Sequence, residues 1–138
     1  MKPIAASLCL FGALGLAGCA TYPGDAPIVG AGPPAPAGTA VAIGQPVIAG
    51  PVAVTAMQVA EDSRCPVDAQ CVWQGRFVVS ARIDGAGWRE TVNLTAGQDR
   101  QVRGVNVVLY EVMPRPDANT AIEAGDYRLK FDAMVPSS

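Results

Sequence analysis

The chain has 138 residues, 10 of them basic and 12 acidic, and a net charge of −2 at pH 7. That balance gives no electrostatic case for nucleic acid, so no nucleic-acid partner is expected. The chain has no histidine, which removes the commonest general base, the commonest metal ligand and every Ser-His or Cys-His nucleophile arrangement. Paired carboxylates or a Ser-Lys couple could still do chemistry, but the only lysine after Lys2 is Lys130, inside a strand-like run. The expectation is a protein that is not an enzyme and holds no metal.

Met1-Lys2-Pro3 opens the chain and an apolar run follows from Ile4 to Gly18. A membrane-spanning helix needs roughly twenty apolar residues, so this run is short for a permanent span. A basic start, an apolar middle and small residues at the end have the form of a secretory signal. Leu16-Ala17-Gly18-Cys19 resembles the lipobox of bacterial lipoproteins. The resemblance implies cleavage before Cys19, a diacylglyceryl group on its thiol and a further acyl chain, such as palmitate, on the new amino group. Two or more chains make a stable anchor where one does not. In similar Gram-negative lipoproteins an Asp after the cysteine favours the inner membrane. Ala20 therefore implies the outer membrane, with the domain facing the periplasm. No cofactor is expected beyond the covalent lipid. The expected partners are the membrane, reached through that lipid, and an envelope protein; the oligomeric state is not legible.

Residues 1–18 are thus expected as a signal peptide, and 19–39 as the lipidated cysteine and its tether. From Ala20 to Thr39, nine of twenty residues are Pro or Gly and Asp25 is the single charge. Such a segment buries too little surface to offset its conformational entropy. Residues 40–136 are expected as one domain with a modest core.

Within that domain the pattern is short strands and turns. Val52 to Val59 alternates loosely. Cys71, Trp73, Phe77, Val79, Ala81 and Ile83 share one face of a strand-like run, with Val78 as an exception. Asp84-Gly85-Ala86-Gly87 predicts a hairpin turn into Trp88, Val92 and Leu94, where Glu90 falls on the apolar face. Val105 to Val112, apolar on both faces, reads as a strand covered on both sides, stopped by Pro114 and Pro116. Residues 117–124 could form one helical turn. In the final run Tyr127, Leu129, Phe131 and Ala133 point one way. Its start, "AGDYRL", is similar to the tyrosine-bearing strand of immunoglobulin-like domains, which implies a phenol bonded to nearby backbone. The expected fold is all-β, a small immunoglobulin-like antiparallel β-sandwich; a small β-barrel is the alternative.

Cys9 leaves with the signal and Cys19 carries lipid, so Cys65 and Cys71 remain as a pair. In an oxidising compartment disulfides persist. Three readings stand. A staple needs only Cα atoms within about 6 Å, and closing the seven-residue loop is worth about 2 kcal/mol. A redox couple would use C-x-x-C beside a βαβ unit, and a metal site would need more ligands than two thiols and the carboxylates nearby. The staple is the expectation, with Trp73 packed on or near it. The stretch Asp62-Ser63-Arg64-Cys65-Pro66, followed by Cys71, Trp73 and Gly75, resembles a motif of small secreted or lipid-anchored bacterial proteins of unassigned function. Asp62, Arg64, Asp68 and Arg76 are the candidate surface, with Asp62 and Arg64 either binding a partner or pairing with each other. Arg76, Arg82 and Arg89 could form a cationic patch.

These readings converge on a non-catalytic, lipid-anchored envelope protein presenting a β-sandwich surface. The alternatives are an envelope inhibitor of a secreted lysozyme or protease, a redox-sensing disulfide protein and a carboxylate hydrolase.

Overall fold

The computed structural model describes residues 32–138. The signal-like run, Cys19, Ala20 and the first part of the tether lie outside them. Seven strands form: β1 Pro46–Ala49, β2 Val52–Asp62, β3 Phe77–Gly85, β4 Trp88–Thr95, β5 Asp99–Val102, β6 Val105–Met113 and β7 Arg128–Met134. They make two antiparallel sheets, in the orders β1-β2-β3-β4 and β5-β6-β7. The sheets face each other as a β-sandwich and do not close into the alternative barrel. Every neighbour in a sheet is also a neighbour in sequence, so the connections are hairpins. Immunoglobulin domains interleave their strands between sheets instead.

The core is one apolar cluster drawn from both sheets, including Val54, Phe77, Val79, Ile83, Leu94, Val107, Leu109, Leu129 and Phe131. In β3 and β7 the inward set is the one that strict alternation predicts, because successive side chains point to opposite faces. In β2 the alternation is loose because the pairing with β3 shifts twice, between Ala56 and Gln58 and between Val59 and Glu61. Each bulge adds one residue to one strand; the first brings Val59, rather than Gln58, opposite the core residue Val79, and the second brings Asp62 opposite Phe77.

One bulge also corrects the reading of β6 as covered on both sides. Val105, Val107 and Leu109 are buried, the register then shifts between Leu109 and Glu111, and Val112 returns to the core side. Tyr110, at the bulge, is half exposed. The double apolar pattern is thus a one-faced strand with a phase change. On β4 the misplaced Glu90 is explained by Arg103 in the β5–β6 turn, whose Nε donates to its Oε2 at 3.0 Å. The helical turn expected over 117–124 is displaced to a 3-10 turn at Ala124–Asp126, while Asp117 and Thr120 form an isolated bridge.

Folded contacts start before the expected boundary at residue 40. Ala35 N–H donates to the Pro46 carbonyl at 2.8 Å and its own carbonyl accepts from Ile48 at 2.9 Å. Val41 pairs with Leu129 of β7. Residues 35–45 therefore connect the β1 edge of one sheet to the β7 edge of the other. A Pro-rich segment can still offer isolated N–H and C=O groups to a strand edge, which its composition does not reveal. The turn between β1 and β2 also approaches β7 closely: Gly50 has φ 49°, and a Cβ there would lie 2.0 Å from the Ala133 carbonyl oxygen.

Thr55 is fully buried, and its Oγ1 has no hydrogen-bond partner among the described residues. A buried hydroxyl without a partner costs about 1–3 kcal/mol. Thr55→Val, nearly the same shape and a better strand former, is expected to raise stability by about 1 kcal/mol. Chemical denaturation checks it; a lower midpoint would mean that the hydroxyl has a partner.

Candidate functional site

The cysteine loop is the far end of the β2–β3 hairpin. Its two limbs keep pairing past the strands: Ser63 N–H donates to the Arg76 carbonyl and Cys65 N–H to the Gln74 carbonyl, both at 2.9 Å. Gly75 lies between those rungs with φ 68°, and a Cβ there would lie 1.7 Å from the Ser63 carbonyl oxygen. The glycine of the C-x-W-x-G motif is therefore where one limb's backbone rests on the other. The Cys65–Cys71 disulfide closes the tip, with Cα atoms 5.9 Å apart.

A second loop holds the first. Val67 N–H donates to the Pro116 carbonyl at 2.9 Å, and Asp68 Oδ1 accepts from Ala118 N–H at 2.8 Å. Asp68, one of the candidate surface residues, is thus engaged in joining the cysteine loop to the β6–β7 connection. An open groove of about 890 Å³ runs between the two, lined by Arg64, Cys65, Val67, Cys71, Val112 and Arg115 among others.

Asp62 and Arg64 pair with each other. The guanidinium donates twice to the carboxylate, Nε to Oδ1 at 2.7 Å and a terminal N–H to Oδ2 at 2.8 Å, and the two side chains are only 17% and 15% exposed for Arg64 and Asp62. The reason is register. Asp62 stands directly across from Phe77, so its side chain shares the core face at the open end of the sandwich. There the Tyr127 hydroxyl, carried by the other sheet, donates to Asp62 Oδ2 at 2.8 Å. The Arg64 guanidinium lies 5.2 Å from the centre of the Phe77 ring, which packs against Tyr127 at 5.4 Å. The tyrosine's partner is thus a carboxylate 65 residues away, not the nearby backbone that the immunoglobulin resemblance implied.

Electrostatics follow from these partners. Burial pushes the Asp62 carboxyl up, but the hydrogen bonds from Arg64 and Tyr127 outweigh it and the group is held below its ordinary 3.8. Burial, and then the bond to Asp62, pushes the Tyr127 phenol up to about 12. On the opposite face, Glu61 is held low by Ser63 and then by Arg76, whose Nε reaches it at 2.8 Å. Arg82 and Arg89 share Asp84. Each arginine of the expected cationic patch therefore sits on a carboxylate.

The aromatic of the motif is elsewhere than expected. β3 begins at Phe77, not Cys71. Val72 is fully exposed and Trp73 is 59% exposed, so neither is a core residue. The alternating pattern carried on past the end of the sheet because Gly75 breaks the strand geometry there. Nothing in the sequence marked Tyr127 as Asp62's partner or Val72 as the loop's outermost residue.

Replacing both cysteines with Ser is expected to cost about 2 kcal/mol and lower the melting temperature by about 10 °C. Melting curves with and without reductant check it. Unchanged melting would assign the pair a chemical rather than a bracing role. Compared with known proteins, the chain matches no family model, no curated protein and no solved structure.

Proposed function

We propose that this chain is a non-catalytic lipoprotein of the cell envelope, anchored through Cys19, whose β-sandwich presents the cysteine-loop end as a binding surface. The observation that carries the surface is the loop tip: Val72 and Trp73 stand in solvent on a loop held by a disulfide and two backbone rungs. Large apolar side chains on a rigid mount lose little conformational freedom when they are covered, which suits binding. The charged groups of the same end support the non-catalytic reading, since Glu61, Asp62 and Asp68 are each bonded to an arginine, a hydroxyl or a backbone N–H. The lipobox resemblance at Leu16–Cys19 supports the anchor and the outer-membrane address.

The test is the mass and location of the chain made in a Gram-negative host. The mature protein should begin at Cys19, carry three acyl chains and partition with membranes, while Cys19→Ser should be soluble or keep its signal. A Cys19→Ser chain that is cleaved and still membrane-bound would remove the anchor from the proposal.

A second reading, an inhibitor that inserts the loop into the cleft of a lysozyme or protease, is favoured by the same projecting tip. It requires that the purified domain slow such an enzyme at micromolar concentration and that Trp73→Ala abolish the effect. Failure across a panel of both enzyme classes would end it.

A further inference from the structure

The loop end carries three exposed apolar side chains, Val67 at 64%, Val72 at 105% and Trp73 at 59%. Arg115, which lines the groove together with Val67, has no ion-pair partner among the described residues. From this end we infer that the tip docks on a lipid surface, namely the membrane that carries the chain's own anchor. The inference rests on the lipoprotein reading and names the partner of the same surface.

Direction of the chain is the first argument. β1 runs from Pro46, opposite Thr55, to Ala49, opposite Val52. It therefore runs away from the cysteine loop, which lies beyond Asp62 at the other end of β2. Ala35 pairs with Val47 in the parallel sense, so the chain reaches Ala35 from the cysteine-loop side. The described chain before Ala35 and the apolar tip lie towards the same end of the sandwich.

Length is the second. Ala35 lies level with Val47 and hence with Val54. Two of the eleven steps from Val54 to Cys65 are taken up by the bulges, so at about 3.3 Å per residue the disulfide lies about 30 Å beyond that level. From Cys19 to Ala35 the tether spans about 22 Å as a flexible coil and about 50 Å as extended polyproline II. A lipidated Cys19 and the loop tip can therefore reach one plane without straining the tether. A surface this small binds weakly alone, and a tether of matching length raises its effective concentration.

Chemistry is the third. An exposed Trp and Val on the loop, with Val67 and Arg115 in the adjoining groove, suit the layer between headgroups and acyl chains. Among the tip residues from Pro66 to Gln74 only Asp68 is acidic, and its carboxylate accepts from Ala118 N–H and the Asn119 amide of the neighbouring loop.

The experiment uses residues 19–138, which contain every strand and the core of the described residues. Cys19 is the one thiol left free beside the disulfide, so it is coupled to a maleimide lipid. The lipid sits in vesicles of equal parts phosphatidylethanolamine and phosphatidylglycerol with brominated acyl chains. Trp88, at the hairpin turn of the opposite end, is the internal reference: Trp88→Phe reports Trp73 alone and Trp73→Phe reports Trp88 alone. The expected result is roughly threefold greater quenching of Trp73 than of Trp88, lost in Val72→Ser/Val67→Ser with unchanged melting. Equal quenching of both, or none, overturns the inference. So does an unquenched Trp73 in a chain whose position 72, carrying a photoreactive group, crosslinks to a protein in cells. The anchor is supplied chemically, so failure here leaves the lipidation reading intact, and an unlipidated Cys19 in cells leaves the quenching result intact.

Discussion

Gly75→Ala is expected to destabilise the domain by about 3 kcal/mol or more. A left-handed backbone costs a non-glycine residue about 1–2 kcal/mol, and Gly75 has φ 68°. The added Cβ would also lie 1.7 Å from the Ser63 carbonyl oxygen and 2.5 Å from its carbon. Those are backbone atoms of the paired limb, so no rotamer change relieves the overlap. The hairpin must open, taking with it the rungs Ser63–Arg76 and Cys65–Gln74. Denaturant midpoints of the two proteins measure the loss, and proteolysis within residues 63–76 should locate it. A Gly75→Ala chain with native stability would mean that the limbs separate without cost and that the loop is not the rigid mount argued above.

The second large effect is removal of the Asp62 carboxylate. Asp62→Ala leaves the Arg64 guanidinium, 17% exposed over Phe77, without its partner and the Tyr127 hydroxyl without an acceptor. Breaking a buried pair from one side costs about 3–5 kcal/mol. Both groups retain some contact with water, which brings the expectation to about 2–3 kcal/mol. The pH dependence separates this network from simple packing. Asp62 has its folded pKa below 3.8, so its contribution is present above that value and is lost as pH falls through the lowered one. Asp62→Asn should flatten this acid limb in part, since Glu61 and Asp84 are also held low and lose their contributions in the same direction.

Tyr127 works in the other direction. Its pKa is raised from 10.0 to about 12, so its contribution is present below pH 10 and disappears as pH rises through about 12. Lys130, raised above 10.5 by Glu111, also loses its contribution as pH rises through its raised value. Tyr127→Phe should therefore reduce the alkaline loss without abolishing it. Stability measured from pH 3 to 12 on the three proteins checks both limbs. Identical profiles would mean that the carboxylate–phenol bond does not form in solution.

Where the fold is encoded locally, the sequence reading and the structure agree. Phe77, Val79, Ala81 and Ile83, and later Tyr127, Leu129, Phe131 and Ala133, alternate because a pleated backbone turns every second side chain inward. The hairpin at Asp84–Gly87 was legible for the same reason, since its turn residues lie between two alternating runs. The strands β1 and β5, each of four residues, were too short to show a period. The two bulges of β2 and the one in β6 hid theirs, because an inserted residue shifts the phase of everything after it. Trp73 misled for the opposite reason: an alternating pattern continued past the residue at which the strand stops.

The candidate site divides along the same line. The pairing of Cys65 with Cys71 follows from cysteine number and spacing, and that of Asp62 with Arg64 lies within three residues. Sequence alone favoured these and the all-β sandwich over their alternatives, through short spacing and strict alternation, and the structure chose between them. The tertiary structure alone decided that Asp62 bonds Tyr127, that Asp68 holds the Asp117–Thr120 turn, that Gly75 rests on Ser63 and that Val72 and Trp73 stand in solvent. Those partners are separated by up to 65 residues, and nothing in the local pattern of one limb specifies which residue of another strand will face it. Register and bulges settle that, and they form only when the two sheets pack on each other.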